Sequence, residues 1–562
     1  MTIIENRPIK EESSSWQWPR TIPPLLRKIY SSRDITSPDD INYLLSNILP
    51  VSHFKELDKA VDLLAKHKKN KIVVVGDFDV DGATSTSLVL LCLKDFGFKD
   101  VDYFIPDRFK LGYGLSEELI HSLDGLSPDM IITVDNGITS IEGCKLAKKK
   151  NIDVLITDHH IPGEDLPDAT LVNPNLNQCS FKGKNLAGVG VAFYLMAALG
   201  KFYNNHRIVL KYLDLVALGT VADLVKLDLT NRIFIKYGLD LMRSSKCLDG
   251  IKALAKMSNI KLEDISEVDL SYKIAPKINA AGRMEDMSIG IKCLTSSSYS
   301  KAKDLANKLE KINKRRKLVQ GKMSLEADDM VSSIDNLNVN SLPNIISLYR
   351  DDWHEGVLGI VASKLKEKYY RPVFIFASAE NGMIKGSGRS IPGFHLRDAL
   401  AEMDAGNPEL ISKFGGHAMA AGLTIEQSNL ELFNKEIKKI CDKYLDEEIL
   451  SHKLITDGQL DKSKFTLNSA KLILDGGPWG QNFPEPLFDN FFILIDQNII
   501  GNTHLKIVIS PVGSNSKIDA IAFNTLPGSW QIGDKIRIIY KLKINDYFDL
   551  PRLQLVIIHI EE

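Results

Sequence analysis

The sequence predicts an α/β fold: a parallel sheet with helices on its faces, then a second α/β domain and a small β-barrel. Three short apolar runs predict the parallel sheet, because helical patterns separate them and each run ends in an acid. A later strand–helix–strand succession predicts the second α/β domain. Five short β-rich runs near the carboxyl end predict the barrel, with an oligonucleotide-binding type of fold.

The composition is typical of a soluble globular protein, with 44% hydrophobic and 25% charged residues. The formal net charge is −2, so any nucleic-acid site has to be a local basic patch. Six cysteines lie far apart without a CxxC pair, which favours buried thiols in a reducing compartment. The first residues lack an apolar signal core and no run is long enough to span a membrane, so we expect a cytoplasmic protein.

The pattern along the chain predicts five regions. Residues 1–70 are expected to form a tail and helices, and residues 71–295 the first α/β domain. Residues 296–335 are predicted to form one long connecting helix with a basic middle. Residues 336–450 and 451–562 are then expected to form the second α/β domain and the barrel.

The first predicted strand, KIVVVG, is followed by Asp77, Asp79 and Asp81 at alternate positions. If this segment is extended, the three carboxylates share one face. Clustered carboxylates repel one another strongly unless a positive charge lies between them, and a divalent cation is the simplest such charge. The segment also resembles the start of a calcium loop, but such a loop needs glutamate at its twelfth position, which is Leu88.

Two further predicted strands also end in candidate metal ligands. DMIITV ends in Asp135, and DVLIT ends in Asp158, His159 and His160. Because the carboxyl ends of parallel strands lie along one edge of a sheet, we expect these groups to converge with the first acidic run. Such ligands favour Mn²⁺ or Mg²⁺, and two ions about 3.5–4 Å apart would suit phosphoester hydrolysis. The alternative, turn or capping residues, explains one such acid better than three acidic strand ends.

Two later segments need separate interpretation. Residues 187–242 have a helical pattern, and Asp223 lies inside or at the end of an apolar helix. The segment LAGVGVAF has two of the three glycines of a dinucleotide-binding motif and no clear strand before it. We therefore interpret its glycines as positions of close helix packing.

These motifs, in this order, resemble the DHH phosphoesterase superfamily, which is named after the Asp158-His159-His160 signature, and more narrowly its RecJ-type single-stranded-DNA-specific exonucleases. The resemblance rests on GDFDVDGATS, TVDNGIT, TDHH, LAGVGVAF, GTVADLV and PKINAAGRM, and then on DWHEGVLGIVASKL, GSGRS, FGGHAMAAG and GGPWGQNFPEPLF. It covers roughly residues 70–490. The ordered set is much more specific than any single motif.

The resemblance implies a metal-dependent 5′→3′ exonuclease that hydrolyses single-stranded DNA to 5′-mononucleotides, in DNA repair and recombination. It implies two divalent cations, Mn²⁺ or Mg²⁺, and catalytic roles for Asp79, Asp81, Asp135, His159, His160 and Asp223. The implied metal ligands are Asp77, Asp79, Asp81, Asp135, His159 and Asp223. His160 is expected to face the scissile phosphate. Many superfamily members have a histidine just before the acidic run, where this chain has Val75 and apolar neighbours, so we expect Asp77 to take over that role.

Arginine and glycine-rich segments supply candidate phosphate contacts. Arginine binds phosphate through two hydrogen bonds, and glycine lets backbone N–H groups approach an anion. The segments GYG, GSGRS and FGGH are therefore predicted to form phosphate-binding turns. With the resemblance, the implied DNA- and phosphate-binding residues are Arg108, Tyr113, Asn279, Arg283, Ser387, Gly388, Arg389, Gly416 and His417. The alternatives are glycine turns with solvated arginines and, for Asn279 with Arg283, a buried structural pair.

Two other functions stay open at this point. One is a DHH phosphodiesterase that acts on short oligonucleotides or cyclic dinucleotides, which the barrel and the chain length disfavour. The other is a catalytically inactive DNA-binding DHH module, which the complete set of acids disfavours. The expected partners are single-stranded DNA, a single-strand-binding protein and a helicase, and we expect a monomer that does not bind a membrane.

Overall fold

The computed structural model describes residues 2–561 apart from 10–17, 34, 36, 335–341, 502 and 546–549. Residues 10–17 of the predicted tail thus lie outside the described residues. The chain divides into two compact units. The larger unit comprises Glu5–Gly282, Asp286–Leu309 and Ile455–Glu562, and the smaller unit comprises Met1–Ile4, Arg283–Glu285 and Glu310–Leu454.

The N-terminal region contains a strand and two helices: β1 (Thr2–Asn6), α1 (Pro24–Ser31) and α2 (Glu56–Lys66). Pro24 begins α1, where its fixed φ and missing N–H suit the first helical position. The predicted helix before the first sheet strand is confirmed as α2, which buries Leu57, Val61 and Leu64 on one face.

A five-stranded parallel sheet organises the larger unit, in the order β3-β2-β4-β5-β6. Its strands are β2 (Ile72–Gly76), β3 (Val101–Phe104), β4 (Met130–Val134), β5 (Asp153–Thr157) and β6 (Thr170–Val172). The three predicted strands are the central ones, and every residue of β2 and β4 is buried, as in sheets covered on both faces. The edge strands β3 and β6 were not predicted, because four and three residues are too few to show a periodicity.

Helices surround this sheet. They are α3 (Val80–Asp95), α4 (Glu117–Ser122), α5 (Ile141–Lys149), α6 (Gly188–Phe202), α7 (Leu213–Ala222), α8 (Leu229–Arg243), α9 (Asp249–Met257), α10 (Glu267–Asp269), α11 (Ala275–Met284) and α12 (Ser288–Leu294). A π-helical segment, Leu270–Ile274, separates α10 from α11. The prediction that the acidic run is extended is wrong, because α3 already begins at Val80 and therefore includes Asp81.

The predicted connecting helix is confirmed as α13 (Tyr299–Ile334), which is 36 residues long. It begins in the larger unit and ends in the smaller one. Its basic middle is not simply a solvated face. Arg316 is buried, and its guanidinium donates hydrogen bonds to Gln320 at 2.5 Å and to Asn313 at 2.6 Å.

The smaller unit contains the second α/β domain. Its strands are β7 (Ile346–Arg350), β8 (Val373–Ser378), β9 (Met383–Arg389), β10 (Lys413–Gly416) and β11 (Ala420–Glu426). Its helices are α14 (Leu358–Tyr369), α15 (Leu396–Gly406) and α16 (Leu430–Tyr444). The strand order is β10-β11-β9-β8-β7, and β7 and β8 run parallel while the other neighbours are antiparallel.

The prediction of turns for the glycine-rich segments of this unit is largely wrong. Gly386 and Gly388 lie inside β9, and Gly416 ends β10, which leaves a turn only at residues 417–419. The glycines make room for neighbouring aromatic rings. A Cβ atom at Gly386 would lie 2.4 Å from the ring of Phe376, and one at Gly388 would lie 2.5 Å from that of Phe374.

The predicted barrel is confirmed as a closed barrel in the order β13-β14-β15-β17-β16, formed by β13 (Phe488–Ile500), β14 (His504–Pro511), β15 (Ile518–Ala522), β16 (Lys535–Asn545) and β17 (Arg552–Glu561). Before it come β12 (His452–Thr456), which pairs with β1, and α17 (Leu467–Asp475). Closure leaves the barrel without an unpaired sheet edge. Within the part of the chain that the structure describes, no helix has both the length and the apolar character needed to cross a membrane.

A buried ion pair ties the N-terminal region to the segment that leads into the barrel. Arg33 donates two hydrogen bonds to the carboxylate of Asp457, at 2.7 and 3.0 Å, and the two side chains are 0% and 4% exposed. The same carboxylate accepts hydrogen bonds from the hydroxyl of Ser32 and the backbone N–H of Leu487. Both carboxylate oxygens of Asp457 thus accept hydrogen bonds that hold these segments together.

We expect Asp457→Asn to lower the free energy of unfolding by about 3–5 kcal/mol, because it leaves a buried guanidinium without its counter-ion. Urea denaturation followed by tryptophan fluorescence measures the change. The control is Glu142→Gln, which breaks an exposed pair with Lys145 and should change the same quantity by less than about 1 kcal/mol. Equal effects of the two substitutions would contradict the assigned role of the buried pair.

Candidate metal centre

The carboxyl ends of neighbouring strands bring the predicted metal ligands together. Asp77 follows β2 and Asp135 follows β4, while the Asp158-His159-His160 segment follows β5. Asp223 lies at the end of α7, where it is the C-cap residue. Ligand atoms come within 4.8 Å of one another in three groups, drawn from Asp77, Asp79, Asp81, Asp135, His159, His160 and Asp223. The seven predicted side chains thus form one cluster.

A tight turn fixes the first two acids. Asp79 is the N-cap residue of α3, and its Oδ1 accepts a hydrogen bond from the backbone N–H of Gly82 at 3.0 Å. A Cβ atom at Gly82 would lie 2.5 Å from the carbonyl oxygen of Asp77, so only glycine lets the turn close this far. Asp79 is therefore both a cap and a member of the cluster.

The start of α6 holds the third acid. Oδ2 of Asp81 accepts a hydrogen bond from the N–H of Gly188 at 2.6 Å, and Oδ1 accepts one from the N–H of Val189 at 2.9 Å. The positive end of the helix dipole stabilises the carboxylate at this place. The close packing predicted for LAGVGVAF is present, since a Cβ atom at Gly188 would lie 2.6 Å from the Cβ atom of Asp135. The prediction of close packing did not include the two hydrogen bonds that orient Asp81.

Asp135 and Asp223 face the same imidazole. Oδ1 of Asp135 lies 3.1 Å from Nε2 of His159, and Oδ2 of Asp223 lies 3.6 Å from the same nitrogen. Both carboxylate oxygens are buried and accept no hydrogen bond from any residue that the structure describes. Buried polar atoms normally have partners, so oxygens left in this state fit a divalent cation. Asp135 also has a positive φ of 61°, a conformation that aspartate tolerates and that is frequent at functional sites.

Asp158 has an orienting role. Its Oδ1 accepts hydrogen bonds from the backbone N–H groups of His159 and His160, at 2.8 and 3.1 Å, and lies 2.7 Å from Nδ1 of His160. Its Oδ2 accepts a hydrogen bond from the N–H of Ile138 at 3.0 Å. A proton on Nδ1 of His160 points to Asp158, which fixes the orientation of the ring. The hydroxyl of Tyr113 lies 2.9 Å from the same Nδ1 and donates to the carbonyl of Asp135.

Burial and repulsion between neighbouring carboxylates disfavour the ionised acids. Both effects raise the pKa of Asp77 and Asp135 well above the usual carboxyl value, and they raise the pKa of Asp81 to about 7. The pKa of Asp223 is raised for the same two reasons. Asp158 differs: although burial opposes its ionisation, the hydrogen bond and charge of His160 bring its pKa below the usual value.

Three asparagines support the cluster, and we did not predict them from the sequence. The side-chain amide of Asn175 donates to the carbonyl of His159 at 2.6 Å, and that of Asn173 donates to the carbonyl of His160 at 2.8 Å. The amide of Asn136 donates to carbonyls at the ends of β2 and β4, at 3.2 and 2.8 Å. The available signals were the Asn-Pro-Asn segment after β6 and the asparagine after Asp135.

Three of the predicted substrate-binding residues lie in the larger unit. The guanidinium of Arg108 lies 4.6 Å from the centre of the Phe78 ring, within the acidic turn. Tyr113 contacts the cluster as described above. Asn279 lies on α11, three residues before Gly282, where a Cβ atom would lie 1.9 Å from the carbonyl oxygen of Phe78. The helix that carries Asn279 therefore packs directly on the acidic turn.

The other six predicted residues lie in the smaller unit. Arg283 donates a hydrogen bond to the carbonyl of Gly356 at 3.2 Å, just before α14. Arg389 contacts the hydroxyl of Ser387 at 3.3 Å, and a Cβ atom at Gly359 of α14 would lie 2.6 Å from the Arg389 guanidinium.

The remaining three predicted residues lie in or beside the sheet. Gly388 of β9 and Gly416 of β10 both pair with Ala421 of β11, and the exposed His417 follows Gly416.

Comparisons with known proteins agree with this architecture. Residues 71–220 match the N-terminal domain of the DHH family, residues 342–443 the DHHA1 domain and residues 456–559 the RecJ OB domain. Single-stranded-DNA-specific exonuclease RecJ of Escherichia coli (strain K12) is 42% identical over 98% of this chain and 98% of its own length. The protein of the same name from Haemophilus influenzae is 44% identical over 96% of both chains. The crystal structure of RecJ from Thermus thermophilus in complex with Mn²⁺ has a TM-score of 0.80 and 26% identity, and the match covers 96% of this chain and 76% of that chain.

We expect Gly188→Ala to weaken Mn²⁺ binding by about tenfold or more, because the added methyl group would displace Asp135 and the amides that hold Asp81. Isothermal titration with Mn²⁺ measures the affinity. Gly190→Ala is the matched control in the same helix, since its Cβ atom would meet only the side chain of Leu186, at 3.2 Å. If both variants bind Mn²⁺ like the unmodified protein, the role assigned to Gly188 is wrong.

The raised carboxyl pKa values predict how pH affects stability. Without metal, the folded protein holds more protons than the unfolded chain between the usual carboxyl pKa of about 4 and the raised values, which for Asp81 is about 7. The free energy of unfolding therefore falls as pH rises through this window. Cations compete with these protons, so we expect Mn²⁺ to raise the melting temperature more at about pH 8 than at about pH 6. Calorimetric scans with Mn²⁺ or EDTA at both pH values test this, and an equal increase would contradict it.

Proposed function

The chain belongs to the RecJ family of DHH proteins, and we propose that it removes 5′-mononucleotides from single-stranded DNA by metal-dependent hydrolysis. The observation that carries the proposal is a pair of buried carboxylate oxygens, on Asp135 and Asp223, that lie close to His159 and accept no hydrogen bond from the described residues. Full-length relatives that are 42–44% identical are single-stranded-DNA-specific exonucleases, which supports the substrate and the reaction.

We assign two divalent cations, Mn²⁺ or Mg²⁺, to a ligand set formed by Asp77, Asp79, Asp81, Asp135, His159 and Asp223. When bound, such ions polarise a phosphoryl oxygen, activate the attacking water and stabilise the leaving oxygen. The chain keeps these ligands in place through backbone groups, such as the amides that hold Asp81 and the cap that fixes Asp79.

His160 is the proposed contact to the scissile phosphate. Burial opposes its charged form, but the hydrogen bond to Asp158 and the nearby carboxylates raise its pKa above the usual value. The ring therefore holds its proton to a higher pH and is attracted to an anionic phosphate. Asp158 and Tyr113, which both contact Nδ1, fix the orientation of the ring.

We propose DNA contacts within each unit, made by arginines and backbone N–H groups. The contributing residues are Arg108, Tyr113 and Asn279 in the larger unit and Arg283, Ser387, Gly388, Arg389, Gly416 and His417 in the smaller one. We propose domain limits at residues 1–70, 71–295, 296–335, 336–450 and 451–562, with the first α/β domain at residues 71–295. The resemblance also supports a cytoplasmic monomer that works with a single-strand-binding protein and a helicase, and the six buried thiols fit a reducing compartment.

The test is digestion of single- and double-stranded DNA that carries a label at the 5′ or the 3′ end, with Mn²⁺, Mg²⁺ or EDTA. We expect early release of labelled mononucleotide only from 5′-labelled single strands, and none in EDTA. Asp135→Asn should lower the rate by at least about a hundredfold and leave DNA binding intact. The matched control Asp165→Asn changes an exposed acid and should leave the rate unchanged. Initial cleavage at the 3′ end, or faster turnover of dinucleotides than of long strands, would overturn the proposal.

A further inference from the structure

Two large aliphatic side chains are exposed directly beside ligand residues of the metal centre. Leu224 follows Asp223 and is 67% exposed, and Ile161 follows His160 and is 72% exposed. Single exposed aliphatic residues are common on protein surfaces and need no explanation by themselves. These two stand out because Leu224 is next to a proposed metal ligand, and Ile161 is next to the proposed contact to the scissile phosphate.

The backbone at Leu224 has an unfavourable conformation for a leucine. Leu224 has a φ of +58°, in the left-handed region that residues with a side chain disfavour. Over the described residues, every other non-glycine residue with positive φ is Asn, Asp, Ser, Tyr or Glu, so Leu224 is the one aliphatic case. A position just after a helix end usually has glycine when its φ is positive. The chain thus keeps a leucine where glycine would be less strained.

The ligand residues bring the backbone of both residues to the same site. Oδ2 of Asp223 lies 3.6 Å from Nε2 of His159, and the rings of His159 and His160 are 4.4 Å apart. The backbone of Leu224 therefore adjoins that of Asp223, and the backbone of Ile161 adjoins that of His160. The side chains of Asp223 and His160 both lie close to the His159 ring. A phosphodiester bound at these groups brings its own sugar and base into the same surroundings.

We propose that Leu224, assisted by Ile161, contacts the base of the 5′-terminal nucleotide. This inference rests on the proposed function and adds a substrate contact to it. An aliphatic side chain covers apolar surface without reading a hydrogen-bond pattern. Contact of this kind suits an enzyme that has to accept all four bases, since every base offers an apolar face. The side chain of Leu224 is exposed, and its backbone adjoins that of the proposed ligand Asp223.

The test compares two 5′-phosphorylated single strands with Mn²⁺, one with a normal 5′-terminal nucleotide and one with a tetrahydrofuran abasic residue there. For the unmodified protein we expect a higher KM on the abasic strand. Leu224→Gly, which suits the positive φ, should raise KM on the normal strand about five- to tenfold, leave kcat within about twofold and leave KM on the abasic strand unchanged. Ile161→Ser should act in the same direction with a smaller effect.

The controls separate this contact from a structural role. Asn259→Gly makes the same kind of backbone change at another residue with positive φ, 53°, and should leave both KM values unchanged. Leu224→Asn tolerates the conformation but lacks the apolar contact, so it should behave like Leu224→Gly. A KM that is unchanged, or that rises equally on both strands, overturns the inference, and so does weaker Mn²⁺ binding by the Leu224 variants. Failure of the unmodified protein to cleave the normal strand would instead refute the proposed function.

Discussion

The larger unit is built around the mutual repulsion of carboxylates that are held close together in a buried place. Burial and repulsion raise the pKa of Asp77, Asp81 and Asp135, so the isolated site resists full ionisation. The fold orients two of the acids with backbone N–H groups, as Gly82 does for Asp79 and Gly188 for Asp81. An amide dipole fixes a carboxylate without neutralising it, whereas an arginine in a close ion pair would do both. The negative charge therefore remains for a cation to balance.

Much of this arrangement could be predicted, because a parallel sheet brings the residues at the carboxyl ends of its strands to one edge. Once three strands with acids at their ends are assigned to one sheet, their side chains must meet at one edge, whatever the loops do. The position of Asp223 could not be reached in this way, because it depends on where α7 ends beside the sheet. Its place in the ligand set came from the family resemblance. The supporting amides of Asn173 and Asn175 act on carbonyl groups that no side-chain pattern reveals.

The two wrong predictions have different physical origins, one local along the chain and one in neighbours in space. Asp79 is followed within three residues by Gly82, and a capping aspartate competes with extended backbone, so the acidic run turns into a helix. In β9, glycine is needed because Phe374 and Phe376 occupy the space of a side chain, and this depends on partners from another strand. Glycine content alone cannot distinguish such a strand from a turn. Whether a position is crowded depends on its neighbours in space, which the sequence alone does not identify.

Asp135 and Asp158, at the ends of β4 and β5, look alike in the sequence but have different surroundings in the structure. Asp158 accepts hydrogen bonds at both oxygens, from three backbone N–H groups and the His160 ring, so its charge is satisfied within the protein. Asp135 has an oxygen that is buried and without a hydrogen bond from the described residues. The number of donors around each carboxylate therefore separates an orienting acid from a metal ligand. By this criterion, Asp158 of this chain serves mainly to position the two histidines, and the carboxylates of the other segments remain for the cations of the proposed function.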